Sequence, residues 1–255
     1  MSDPAVEIHA DTDALVEAVA RRFVDTVVAA QQERGSAAVV LTGGGTGIGV
    51  LERVRAAPGS IDWRALDIYF GDERFLPEGD PERNEVQAHA ALLDHIGIDP
   101  DRVHTMPTSD GIYENNPDAA AGAYAQMLAS RADAGHDLPD FDIHLLGMGG
   151  EGHVNSLFPD TDAVREQTQN VVAVTDCPKP PPTRITLTLP AVRHATEVWL
   201  IVSGEAKAEA VSAAIGGADP VDIPAAGARG RRATRWLIDE AAAASLPDGH
   251  RSGQH

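Results

Sequence analysis

Apolar residues recur along this chain in two alternating rhythms. Between positions 13 and 32, Leu15, Val16, Val19, Phe23, Val27 and Val28 return at the three-to-four spacing of one helix face. Asp11 or Thr12 stands where a capping side chain is wanted. Gly35 and Ser36 end that helix. Ala37-Ala38-Val39-Val40-Leu41 follows as an unbroken apolar run, the pattern of a strand buried on both faces. A glycine loop and a second helix over 48–55 come next. The alternation continues with strands over 66–70, 103–106 and 141–146 and helices over 84–93 and 119–131. Strands over 171–175, 184–189 and 198–202, a helix over 206–215 and a last strand over 236–238 complete it.

Helices and strands in alternation predict an α/β fold, a parallel or mixed sheet covered on both faces. There is no linker, low-complexity tract or internal repeat, and the proline-rich stretch at 178–182 is too short to separate domains. The expectation is one α/β domain over 1–255, with a frayed tail over 245–255.

Composition narrows the class. Of 255 residues, 43% are hydrophobic and 23% charged, which is globular and not disordered. The single cysteine, Cys177, rules out an internal disulfide framework and a multi-cysteine zinc site. No apolar run approaches the roughly 18 residues of a membrane span, and residues 1–7 carry acids where a signal peptide has a basic and then an apolar stretch. A soluble, reduced, cytoplasmic protein is expected. The formal charge of −19 argues against a nucleic-acid partner, which needs a basic surface. It also requires that any anion site be built locally, from backbone amides and a few placed cations. Lys179 and Lys207 are the only lysines among 20 basic residues. Codon bias accounts for their scarcity, and under such a bias a surviving lysine is a better candidate for a required ammonium group.

Ligands of parallel sheets bind at the carboxyl ends of the strands, and three of the four polar clusters directly follow a predicted strand. The first is Thr42-Gly43-Gly44-Gly45-Thr46-Gly47-Ile48-Gly49. Glycines let backbone N–H groups approach an anion, and the helix start adds partial positive charge, so a phosphate or pyrophosphate is the expected ligand. No Gly-Lys-Ser/Thr follows, which excludes a Walker loop. The string is similar to the cofactor loop of short-chain dehydrogenases. Their Tyr-x-x-x-Lys pair is absent, however: Tyr69, Tyr113 and Tyr124 precede Glu73, Pro117 and Leu128 by four.

The second cluster is Gly71-Asp72-Glu73-Arg74-Phe75. Taken alone it reads equally as a solvated turn or as a site element. Beside an anion loop, Arg74 offers a planar fork for phosphate oxygens, Asp72 could position a polar substrate group or a histidine, and Glu73 balances charge. The third is Gly147-Met148-Gly149-Gly150-Glu151-Gly152-His153, running into Val154-Asn155-Ser156-Leu157-Phe158-Pro159. A histidine framed by glycines is poorly explained by core packing. A histidine titrates near neutrality and suits a general base, and Glu151, two residues before His153, could orient it. In the fourth, Cys177-Pro178-Lys179-Pro180-Pro181-Pro182-Thr183-Arg184, rigid prolines hold Lys179 with little entropy to lose. Lys207, after Ser203-Gly204-Glu205-Ala206, fits a pocket or the surface equally. Neither H-E-x-x-H nor G-x-S-x-G occurs, so no metal site is expected, and the chemistry expected is acid–base without a covalent enzyme intermediate.

In this order, Gly43-Gly44-Gly45-Thr46, Asp72-Glu73-Arg74 with Asn84 downstream, the Gly147–His153 segment with Ser156-Leu157-Phe158-Pro159, and Lys179-Pro180-Pro181-Pro182 with Arg184-Ile185-Thr186-Leu187-Thr188 resemble the 6-phosphogluconolactonase family. The resemblance spans nearly the whole chain, to Trp236-Leu237-Ile238-Asp239. It implies an open three-layer α/β/α sandwich with a mostly parallel sheet, similar to glucosamine-6-phosphate deaminase and ribose-5-phosphate isomerase. It also implies hydrolysis of 6-phospho-D-glucono-1,5-lactone without metal or organic cofactor. On this resemblance His153, Glu151 and Asp72 are the expected catalytic group, with either acid orienting the imidazole. Gly44, Gly45, Thr46, Arg74, Lys179 and Arg184 are the expected phosphate holders, and Asn84 and Lys207 further candidate substrate contacts. The family usually has Asp at Glu151 and Thr-Ala at Val154-Asn155. Glucosamine-6-phosphate deaminase is the nearest rival, but its Phe-Asn-Glu-Pro continuation is missing here. A sugar-phosphate-sensing regulator domain is a third reading, weakened by the single long helix before the first predicted strand and by the acidity. The expected partner is a small phosphorylated sugar lactone, with no nucleic acid and no membrane, and the expected assembly a monomer or small homo-oligomer.

Overall fold

The structure, a computed structural model, describes residues 4–247. The start of the acidic N-terminal segment and most of the tail expected to fray lie outside the described residues. The chain runs β1 (Ala5–His9), α1 (Thr12–Arg34), β2 (Ala37–Leu41), α2 (Gly44–Ala56), β3 (Leu66–Phe70), β4 (Asp72–Arg74), α3 (Asn84–Ala91), β5 (Val103–His104) and α4 (Pro117–Arg131). It continues with β6 (Ile143–Gly147), α5 (Asp162–Arg165), β7 (Val171–Val174), β8 (Arg184–Leu187), α6 (Leu189–His194), β9 (Glu197–Val202), α7 (Ala208–Ile215) and β10 (Ala233–Asp239). Asp11 caps α1 by accepting the N–H of Ala14 at 2.8 Å, and Gly35, at φ 82°, closes it.

Seven strands form one sheet in the order β1-β10-β9-β6-β2-β3-β5, every pair parallel. Alternating side chains feed two cores. In β9, Val198, Leu200 and Val202 face a layer built on α4, α6 and α7, while Trp199 and Ile201 face α1, α2 and α3. The expected three-layer sandwich is therefore present. β4, β8 and β7 form a separate antiparallel sheet, which joins the first of these cores through Val171, Ile185 and Leu187.

Several boundaries differ from the sequence expectation. β1 and β4 are additional strands, and α2 begins at Gly44 instead of Ile48, so the glycine loop is the first turn of the helix itself. Among the described residues no helix is long and apolar enough to cross a membrane. The strand order reverses between β2 and β6. From β2 the chain builds outward to β3 and β5, and from β6 it builds the other way to β9 and β10. A crevice opens at the carboxyl ends of strands at such a reversal, and there the first and third motifs meet.

Candidate active site

Gly43 is the N-cap of α2 and has no side chain to satisfy the helix's first N–H groups, so these remain for a ligand. A Cβ at Gly43 would lie 2.1 Å from Asn84 Oδ1, so only glycine admits that close approach. Asn84 in turn donates Nδ2 to the Asp72 carbonyl at 2.8 Å and to Asp72 Oδ1 at 3.2 Å. Glu73 does more than balance charge. Its carboxylate accepts the N–H groups of Asn84 at 2.7 Å, Glu85 at 2.9 Å and Arg74 at 2.8 Å, capping α3. Burial nevertheless pushes its carboxyl up to about 7, against the pull of Arg83 and those three donors. Residues 72–74, which read as a possible turn, are a buried strand that fixes the mouth of the glycine loop.

The loop after β6 closes on itself. Gly149 N–H donates to the His153 carbonyl and Gly152 N–H to the Gly149 carbonyl, each at 3.0 Å. A Cβ on Gly149 would sit 2.1 Å from His153 Nδ1, so the imidazole occupies the space a side chain would need. The ring stacks on Phe158 with centroids 4.2 Å apart. Its Nδ1 lies 3.3 Å from Glu151 Oε1, in a geometry that makes no hydrogen bond. Glu151 accepts Lys179 Nζ at 2.9 Å. Burial lowers the His153 pKa below its ordinary value; Glu151 opposes this and Lys179 reinforces it. Burial alone would raise the Glu151 carboxyl, but the Lys179 hydrogen bond turns the net shift downward.

Asp72 does not adjoin the imidazole. It accepts the Ser156 hydroxyl at 2.7 Å and lies 3.8 Å from Arg184 Nη1. Of the two acids considered for orienting His153, Glu151 is the one beside it. Arg184 is buried and serves the proline-rich loop: Nε donates to the Pro181 carbonyl at 3.0 Å, and Nη2 to those of Lys179 and Pro180 at 3.1 Å. Arg74 gives Nη1 to the Glu82 carbonyl and leaves a buried Nε without a partner. Lys207 is half-buried. Burial lowers its ammonium pKa, and Asp239 pulls the other way.

All of these surround one cleft of about 300 Å³. Gly44, Gly45, Thr46, Asp72, Arg74, Asn84, His153, Lys179, Arg184 and Lys207 line it, and Glu151 stands behind His153. A larger cavity of about 650 Å³ runs along α1 near the amino ends of β6, β9 and β10, past Arg22, Arg34 and Asp142, and contains no motif residue. Two residues, one in the cleft wall and one behind it, carried no expected role in the sequence. Asn155, at φ 49°, lines the cleft wall, and His144 is fully buried next to it, with burial holding its imidazole at about 3. His144 is hidden in an apolar strand pattern, and Asn155 stands inside the third motif as a departure from the family's usual residue.

The profile of the family described as "Glucosamine-6-phosphate isomerases/6-phosphogluconolactonase" matches residues 10–236. The chain belongs to this family. It is 56% identical over 243 residues to a 6-phosphogluconolactonase of Mycobacterium tuberculosis, covering 95% of this chain and 98% of the relative. It is 53% identical over 252 residues to the 6-phosphogluconolactonase of Streptomyces coelicolor, covering 97% of each. Among solved structures, the 6-phosphogluconolactonase from Trypanosoma cruzi superposes with a TM-score of 0.82 at 24% identity, over 96% of this chain and 98% of that one. A monomeric glucosamine-6-phosphate deaminase reaches 0.77 at 23% identity, over 94% of this chain and 99% of that one. At those identities the structural likenesses establish the shared fold, the sandwich expected from the sequence.

Proposed function

We propose that this cleft hydrolyses 6-phospho-D-glucono-1,5-lactone to 6-phospho-D-gluconate, the second step of the oxidative pentose phosphate pathway, with His153 as general base. The observation that carries the reading is one cleft walled by both the uncapped start of α2 and an imidazole that burial keeps neutral at physiological pH. The first-turn amides at Gly44, Gly45 and Thr46 receive the 6-phosphate, with Arg74, Arg184 and Lys207 adding charge. That grip sets the lactone ring beside His153. The imidazole takes a proton from water as its oxygen attacks the lactone carbonyl. The tetrahedral adduct collapses, the bond from that carbon to the ring oxygen breaks, and His153 returns the proton to the ring oxygen. Nearby amides or a cation steady the oxyanion. A lactone is already an activated ester, so general base catalysis worth about 10²–10⁴-fold is substantial, and anchoring through a remote phosphate adds to it.

The deaminase reading predicts ammonia from glucosamine 6-phosphate and needs a further acid after the histidine. Ser156-Leu157-Phe158-Pro159 supplies none. The test is formation of 6-phosphogluconate from freshly generated lactone, followed by coupling to the next dehydrogenase, above the spontaneous rate. Turnover at background rate, or ammonia release from glucosamine 6-phosphate, would overturn the proposal.

A further inference from the structure

Lys179 lines the cleft, yet its ammonium is directed at a protein group. Nζ lies 2.9 Å from the Glu151 carboxylate, and Glu151 Oε1 lies 3.3 Å from His153 Nδ1. Lys179 Nζ also stands 6.0 Å from the centroid of Phe158, the ring on which His153 stacks. Carboxylate, ammonium and aromatic face therefore converge on one imidazole. We infer that Lys179 is a positioning residue for His153, acting through Glu151, and that the substrate phosphate is held without it. The inference rests on the reading of His153 as the base.

The backbone that delivers Lys179 is built for a fixed placement. Three prolines follow it, each with φ preset, and buried Arg184 donates to the carbonyls of Lys179, Pro180 and Pro181. An exposed ion pair on a mobile chain contributes little, because ordering two long side chains costs entropy. Here much of that ordering is done by the loop. Glu151 is one methylene longer than aspartate, and one carboxylate reaches both Lys179 and His153.

The electrostatic logic is a balance. A carboxylate facing Nδ1 orients the ring but raises its pKa, and a protonated imidazole cannot act as a base. An ammonium on the same carboxylate offsets that field while leaving the carboxylate in place. The charged groups acting on His153 are Glu151 on its own loop, Lys179 on the proline loop and, more weakly, Asp72 on β4, the last paired with Arg184. The phosphate end retains the α2 amides, Arg74 and Lys207.

The test compares Lys179→Met, Lys179→Arg and Glu151→Gln with the wild-type chain on the phosphorylated lactone and on unphosphorylated glucono-1,5-lactone, with inorganic phosphate as inhibitor. Lys179→Met is expected to lower kcat about tenfold on both substrates by the same factor and to leave phosphate inhibition unchanged. The acid limb of kcat/KM, and the His153 titration read by NMR, should move up by about half a pH unit. Lys179→Arg should restore most of kcat, and Lys179→Met should add little in the Glu151→Gln background. A raised KM and weakened phosphate inhibition in Lys179→Met, with the unphosphorylated lactone and the His153 titration untouched, would make Lys179 a phosphate holder and overturn the inference. So would wild-type behaviour on every readout. A wild-type chain inactive on both lactones would instead remove the functional reading beneath it.

Discussion

The backbone N–H of Gly147 donates to the hydroxyl of Thr42 at 3.1 Å. This bond crosses the seam where the strand order reverses, and it ties the end of the strand that leads to His153 to the end of the strand that leads into the anion loop. Thr42→Val keeps the shape and removes the acceptor. A loss of about 1–2 kcal/mol is expected, seen as a fall in Tm of about 2–8 °C. A larger loss is expected in kcat/KM, because the two halves of the site would no longer be held in register. Unchanged kinetics would show that the seam is held by other contacts.

His153→Ala should reduce kcat by about two to four orders of magnitude while Tm stays near the wild-type value. In the wild type, burial lowers the imidazole pKa. The base must be neutral to work, so the acid limb of kcat/KM should lie below pH 6.5. Measuring it on an unphosphorylated lactone keeps the titration of the substrate phosphate, near pH 6, out of the profile.

Arg74→Ala should act on binding. KM for the phosphorylated lactone should rise about tenfold or more, the scale of one charge-assisted contact, with kcat on an unphosphorylated lactone preserved. Equal losses on the two substrates would place Arg74 outside the phosphate grip.

Gly149→Ala places a Cβ 2.1 Å from His153 Nδ1 and 2.7 Å from Glu151 Oε2. The imidazole must move, so kcat should fall about a hundredfold with a much smaller change in KM. A crystal structure of the variant should show the ring displaced from Phe158.

His144 reports on pH and stability. Its folded pKa is about 3 because of burial, against 6.5 for an exposed imidazole. The unfolded chain therefore binds the extra proton between those values, and stability falls as pH drops below about 6.5. From pH 7 to pH 5 this group alone should cost about 2 kcal/mol. That is measurable as the difference between the wild type and His144→Leu in urea unfolding. By NMR the His144 imidazole should remain neutral throughout that range.

How much of this was legible in the residues depended on how loudly each element speaks. Ala37–Leu41 and Leu66–Phe70 are interior strands of the sheet, buried on both faces, and their apolar runs announce them. β1 is partly exposed and mixes Glu7 and His9 into five residues, so no period stands out. β4 is Asp-Glu-Arg, a strand made of charges, and it is buried only because Asn84, Ser156 and Arg83 satisfy it. Neither pairing nor partner can be read from three polar letters. The glycines that precede Ile48 read as a loop because glycine is a poor helix former, but their amides start the helix. The site residues of the motifs converge because three strand ends and one hairpin bring them together. The pairing of Glu151 with Lys179 spans 28 positions, and only the folded hairpin between β7 and β8 reveals it.

Both lysines of the chain face the same hollow, and every other basic side chain is arginine or histidine. An amine-directed reagent thus meets, apart from the α-amino group, no ε-amine away from the cleft. Acylation or reductive alkylation of the folded protein becomes a footprint of cleft occupancy, with a bound sugar phosphate shielding Lys207. Coupling the protein to a support through its lysines would block the very opening its ligand uses.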